Sequence, residues 1–158
     1  MKTQIKKGVG FGLTSGIITT LGLMVGLTYG THSKLAVIGG ILTIAIADAF
    51  SDALGIHISE ESENSHSAKQ IWAATIATFI SKVVFASLFI LPVLFFTLES
   101  AVKISIIWSL GVLGALSYKL AKAEKEKPWK AIAEHLTIAT VVIIVTHYVG
   151  IWVAKTFV

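Results

Sequence analysis

Residues 8–31 read GVGFGLTSGIITTLGLMVGLTYGT, a run of 24 positions without a charged side chain. About 20 mainly apolar residues suffice to cross the hydrocarbon core of a bilayer. This stretch therefore favours a membrane helix over the core of a soluble domain. Lys2, Lys6 and Lys7 precede it, an arrangement that also opens signal peptides. The run is longer than an ordinary signal core and lacks a convincing cleavage boundary. With further apolar segments behind it, it reads as a retained first span.

The rest of the chain has the same character. It is 54% hydrophobic and 14% charged over 158 residues, with a mean hydropathy of +0.81. A soluble domain carries roughly 25% charged residues. There is no cysteine, which removes thiolate metal sites and disulfides from consideration. The formal charge is +4, and all thirteen basic residues are lysine. Nucleic-acid surfaces use arginine for bidentate contacts. Lysines set between apolar blocks fit anionic lipid headgroups instead, and no nucleic-acid partner is expected.

Apolar segmentation predicts an all-α, polytopic membrane protein with five transmembrane helices, at about 8–30, 35–59, 70–98, 101–121 and 132–154. Together they form a single membrane domain, 1–158. The third carries Lys82 between apolar runs and Pro92 near its end. The fourth is the shortest, and its lysine-bearing ends can snorkel. With the N-terminus cytoplasmic, Lys2, Lys6, Lys7, Lys69, Lys119, Lys122, Lys125, Lys127 and Lys130 lie inside, and only Lys34, Lys103 and Lys155 outside. That asymmetry predicts a multi-pass protein of the cell membrane with its C-terminus outside. Trp129, Tyr148 and Trp152 near span ends suit an interfacial belt. Glu134 and His135 fall at headgroup level, and His147 is placed to hydrogen-bond between helices.

Against this background the stretch 47–63, ADAFSDALGIHISEESE, stands out. It sets Asp48 and Asp52 one helical turn apart inside the second span, where charge is costly and marks function. At 100° per residue, Asp48, Asp52, Gly55, Ser59 and Glu63 share an arc of about 80°, and His57 points nearly opposite. In the first span Gly8, Gly12, Ser15, Thr19, Gly22 and Gly26 share a face. Small residues allow close helix approach; packing between helices is the leading reading of these glycines, and the face is also the candidate contact of a homodimer. Five helices enclose little space for a path, so a dimer is physically attractive.

Asp48 and Asp52 offer oxygen ligands to a hard or borderline divalent cation, with the Ser15 and Thr19 hydroxyls completing its shell. Glu60 and Glu63, with Glu61 and His66 nearby, would gather cations at the inner mouth. Adjacent carboxylates resist simultaneous ionisation, which would let proton exchange accompany cation release. The alternative is an ion network in which Lys82 pairs with the acids and fixes helix register. Nothing resembles a nucleophilic triad, a metalloprotease helix or a phosphate-cradling loop, so no enzyme and no permanently bound cofactor are expected.

The second-helix residues Ala47-Asp48-Ala49-Phe50-Ser51-Asp52-Ala53-Leu54-Gly55, with Ser59, Ser62 and Glu63, resemble the signature of the vacuolar iron transporter family, approximately A-D-A/G-x-S-M-x-x-G-E-Y-x-S-x-x-S-E. Gly12-Leu13-Thr14-Ser15-Gly16, Pro92 and Thr146-His147-Tyr148-Val149-Gly150 are similar to its motifs in helices one, three and five. The resemblance implies a five-helix bundle that works as a homodimer. It also implies export of iron(II) or manganese(II) from the cytosol in exchange for protons. Two path residues depart from the pattern. Ser15 stands where the family has an aspartate, and Asp52 where it has a methionine. Ile56 and His57 replace a Glu-Tyr pair. The short Ser62–Lys69 link leaves no room for the cytosolic metal-binding domain of plant and fungal members. These departures keep open a second reading, a non-transporting membrane scaffold or partner subunit.

Overall fold

The computed structural model describes residues 1–123 and 125–157, all in helices and short connections. The helices are α1 (Lys2–Thr31), α2 (Lys34–Ser62), α3 (Ala68–Leu88), α4 (Ile90–Phe95), α5 (Leu98–Ala123) and α6 (Pro128–Phe157). No strand occurs among the described residues. Five helical segments are long and apolar enough to cross a membrane: α1, α2, the Ala68–Phe95 stretch of α3 and α4, α5, and α6. Even α5, with 26 residues, reaches about 39 Å at 1.5 Å per residue. The outward faces carry Leu35, Phe50, Phe95, Ile107 and Tyr148, each more than 60% exposed. So much exposed apolar surface is foreign to a water-soluble monomer and natural against lipid.

Local chemistry sets the helix ends. His32 (φ 51°) and Asn64 (φ 49°) adopt the left-handed conformation just after α1 and α2. Asparagine tolerates that conformation well, and in either place it stops the helix. Ser33 opens α2, its Oγ accepting from the Ala36 N–H at 3.3 Å. At the start of α3 the Gln70 side-chain oxygen accepts from both the Ser67 N–H and the Ser67 hydroxyl, each at 2.9 Å. The third span divides at Phe89. Pro92 has no N–H to offer the Leu88 carbonyl, so α3 ends there and α4 continues beyond the junction. At the start of α6, Pro128 occupies a first-turn position that needs no N–H.

The chain forms two compact units, Met1–Thr20 with Ile41–Leu88, and Leu21–Gly40 with Phe89–Val158. In the first, the early turns of α1 lie directly on α3. A side chain at Gly12 would collide with the Thr78 carbonyl oxygen and come within 3.1 Å of the Ser81 Cβ. Ser81 Oγ also donates to the Val9 carbonyl at 3.0 Å. In the second unit, the later turns of α1 lie on α6. A Cβ at Gly150 would come within 2.5 Å of the Gly26 carbonyl oxygen, and α5 packs on both α4 and α6.

These contacts bear out the packing reading of the small-residue face of α1 and leave the candidate dimer contact without a free surface there. Gly8 and Gly12 meet α3, while Gly22 and Gly26 meet α6. That face is consumed within one chain and is not free to form a dimer contact. The sequence shows that a face is small. It does not show which helix covers it.

Gly12→Ala should lower stability by about 1–3 kcal/mol through overpacking. Gly10→Ala, which meets nothing within 4 Å, should be neutral or slightly stabilising. Thermal unfolding of the two purified variants in one detergent checks the contrast.

Candidate functional site

The acids of α2 converge with one residue from each of α1 and α3. Asp48 and Asp52 lie on successive turns, and each presents Oδ2 to the Lys82 ammonium. Lys82 Nζ also donates to Ser15 Oγ at 2.8 Å. All four residues stand near the middle of their helices. An ammonium has three N–H donors and no acceptor. Here it donates to the Asp52 carboxylate and the Ser15 hydroxyl, and Asp48 Oδ2 stands beside it as an ion pair without a hydrogen bond. Lys82 is only 1% exposed, while Asp48 and Asp52 are 27% and 17% exposed. The lysine is sealed behind the acids, and the acids are open on their far side. With both carboxylates ionised the formal charge of the group is −1.

The glycines of α1 make this group possible. Gly16 faces the Lys82 backbone, with its carbonyl oxygen 3.2 Å from where a Cβ would stand. Gly12 and Gly16 bring the two backbones together around Ser15, so a side chain as short as serine reaches the lysine nitrogen. Thr19, the other hydroxyl expected near the acids, makes its hydrogen bond within α1. Its hydroxyl hydrogen goes to the Ser15 carbonyl at 2.8 Å, a bond one turn back along its own helix. Ser15 is the α1 hydroxyl that bonds to the cluster.

The polar lane expected along α2 is only partly realised. Gly55 and Ser59 are exposed, whereas Ala45, Ala49, Ala53, Ile56 and Glu60 are buried. The covered face is centred about 90° from the line of Asp48 and Ser59 on the helical wheel. The two aspartates thus stand on its edge, and Gly55 and Ser59 fall outside it.

Glu60 and Glu63 meet as expected, in a second polar group. Lys7 of α1 pairs with Glu60 Oε1 at 2.5 Å and Glu63 Oε1 at 3.2 Å. His66 Nδ1 faces Glu60 Oε2 at 3.0 Å and Glu63 Oε2 at 3.7 Å. Asn64 turns the chain so that His66 comes back over the end of α2. Glu60 is fully buried, while Lys7 and Glu63 are 45% exposed. Sequence reasoning missed Lys7, which it counted only as an orienting charge. Lys7 and Glu60 are 53 positions apart (60 − 7), and no local spacing announces their pairing.

The remaining histidines have other uses. The Thr75 hydroxyl hydrogen is committed to the Ile71 carbonyl. His57 Nδ1, 3.0 Å from Thr75 Oγ1, is therefore the donor in that contact. Its ring lies edge-on to Trp72 at 4.8 Å, away from the acids as the helical wheel indicated. His135 makes the same kind of bond to Ser117 at 2.7 Å, and the His147 ring packs edge-on against Tyr29 at 4.1 Å. Comparison with protein-family models and with curated proteins finds no match to this sequence.

Removing one charge from the mid-helix group should cost far more than removing all three. Lys82→Met strands two carboxylates and should destabilise the protein by about 3–5 kcal/mol. Adding Asp48→Asn and Asp52→Asn should recover most of that loss, since the three positions act as one unit. Unfolding midpoints of the single and triple variants in detergent test this, and additive effects would contradict it.

Proposed function

We propose that this is a multi-pass protein of the cell membrane that exports a divalent cation, iron(II) or manganese(II), from the cytosol. Asp48 and Asp52 are the acids that receive it. The observation that carries the reading is the convergence of Asp48, Asp52 and Ser15 on a fully buried ammonium. A charge in mid-span is expensive and is retained where it does work. The oxygens gathered around Lys82 Nζ are the kind that bind a partly dehydrated metal ion. Lys82 is then a tethered occupant of the cation position, and the cargo competes with it for the carboxylates. Ser15, which stands where the resembled family has an aspartate, contributes oxygen without charge. The acid at Asp52 makes up that charge from α2.

Proton exchange belongs to this reading. Each arrival of a divalent ion changes the charge balance of a site surrounded by apolar helices, and a proton leaving in return offsets part of the change. The lysine asymmetry supports a cytoplasmic N-terminus and an external C-terminus. A homodimer remains part of the proposal, on a face other than the glycines of α1. The α6 helix, the least covered of the five spans, is the natural alternative.

A second reading has its own support. Lys82 is held by two hydrogen bonds and a further ion pair, as it would be in a static pin that fixes helix register in a non-transporting scaffold or partner subunit. Flux separates the two. Purified protein in sealed vesicles should carry Mn2+ or Fe2+ at a rate that responds to an imposed pH gradient. Asp48→Asn/Asp52→Asn should reduce that rate by at least about tenfold, a loss of 1.4 kcal/mol or more in the limiting step. Equal flux in the double variant would remove the proposed site, and indifference to the gradient would remove the proton coupling.

A further inference from the structure

We infer that Glu60, Glu63 and His66 form a separate binding site for a divalent first-row transition metal, in which Lys7 is the tethered cation that the metal displaces. This inference does not depend on transport, because it concerns binding at the end of α2 and not passage through the mid-helix group.

Three observations carry it. The first is the donor set. One ligand atom from each of Glu60, Glu63 and His66 lies within 4.8 Å of the other two. With bonds of about 2.0–2.2 Å, neighbouring ligand atoms of a four-coordinate ion stand about 3.3–3.6 Å apart. His66 Nδ1 is already 3.0 Å from Glu60 Oε2 and 3.7 Å from Glu63 Oε2, so closure needs side-chain adjustments of about an ångström or less. Two carboxylates with one imidazole suit borderline ions such as Mn2+, Fe2+, Co2+ or Zn2+ better than Mg2+ or Ca2+, which take oxygen alone.

The second observation concerns how the donors are held. Glu60 is 0% exposed, an unusual position for a carboxylate unless it is paired or coordinated. Both of its oxygens and His66 Nδ1 are buried, yet none makes a hydrogen bond of acceptable geometry. Lys7 stands beside Glu60 Oε1 and His66 beside Glu60 Oε2. Buried polar atoms are ordinarily hydrogen-bonded, and these three face one another. A metal ion would satisfy all of them at once, since coordination uses the same lone pairs.

The third is access and exchange. Lys7 and Glu63 are each 45% exposed, so an ion reaches the group from solvent without crossing the helices. Lys7 sits on a different helix, reaches both carboxylates and can swing away on its flexible stem. Its departure would free the first turns of α1 from the end of α2. Three protein ligands leave further positions to water, which suits reversible loading.

Mn2+ alone is the probe. Its binding is counted from the loss of the free-ion electron paramagnetic resonance signal, using detergent-purified full-length protein. The background is Asp48→Asn/Asp52→Asn/Lys82→Met, so that the mid-helix group contributes no binding and failure of the transport reading has no bearing on the result. One equivalent of Mn2+ is expected, with nitrogen modulation from a coordinated imidazole in pulsed spectra. Glu60→Gln should weaken binding by at least about tenfold, and His66→Asn should abolish the nitrogen modulation. Lys7→Met should strengthen binding several-fold by removing the competing charge, a gain that misfolding would not produce. The inference is overturned by absence of binding in both the background and its Lys7→Met derivative. It is equally overturned by binding that ignores Glu60→Gln and shows no nitrogen signal, or by Lys7→Met that binds no more tightly than the background.

Discussion

An ammonium buried in the middle of an apolar helix must be answered by negative charge, and this requirement at Lys82 organises one half of the molecule. Transfer of an ion out of water costs several kcal/mol even after relaxation. Lys82 meets that cost with Asp48 and Asp52 from α2 and Ser15 from α1. The three helices cannot slide or rotate independently without breaking the group. A shift of α2 by one residue would carry the aspartates through about 100° and strand the lysine. The apolar contacts of Ile17, Ala45, Ala49 and Ala86 are non-directional and would tolerate many registers. The ionic group selects one.

The glycines of α1 are the second part of the same arrangement. A serine side chain is too short to reach a lysine across an ordinary helix–helix separation of 8–10 Å. Gly12 and Gly16 remove the side chains that would hold α3 away. In a bilayer, where burial of apolar surface gives little drive for helix association, close backbone contact is itself a source of stability. One sequence feature thus supplies both packing and the geometry of a polar group. The later glycines of α1 serve α6 in the same manner, with Gly150 as the facing small residue.

How much of this could be read from residues alone depended on the range of the interaction. The spans were legible, because lipid demands long apolar runs and charges interrupt them. Asp48 and Asp52 were legible as a pair, because four residues make one turn. Lys82 was legible as a residue in need of an acid, though not as one that would take both. The direction in which α2 faces was not legible. Gly55 and Ser59 share the helical arc of the aspartates, but the buried face is set by Ala49, Ala53 and Ile56 meeting their neighbours. That the Thr19 hydroxyl hydrogen goes to its own helix was not legible either, and its oxygen keeps lone pairs for a ligand. The Lys7–Glu60–His66 group was hidden for two reasons. Lys7 is distant in sequence, and His66 depends on the turn made by Asn64.

Both polar groups repeat one device along α2: a pair of acids on that helix, with a lysine supplied by a neighbouring one. Asp52 and Glu60 are eight residues apart, about 12 Å along the axis at 1.5 Å per residue. Lys82 comes from α3 and Lys7 from α1. Withdrawal of either lysine leaves carboxylates short of a counter-charge, at greatest cost for the fully buried Glu60. Any cation that binds either acid pair therefore competes with the contact between α2 and one neighbouring helix. Binding and helix separation are then linked quantities. A cation loosens the helix contact by as much free energy as the intact contact withholds from cation binding. That reciprocity requires no separate domain and no hinge. It follows from placing carboxylate pairs on one helix and their counter-ions on two others.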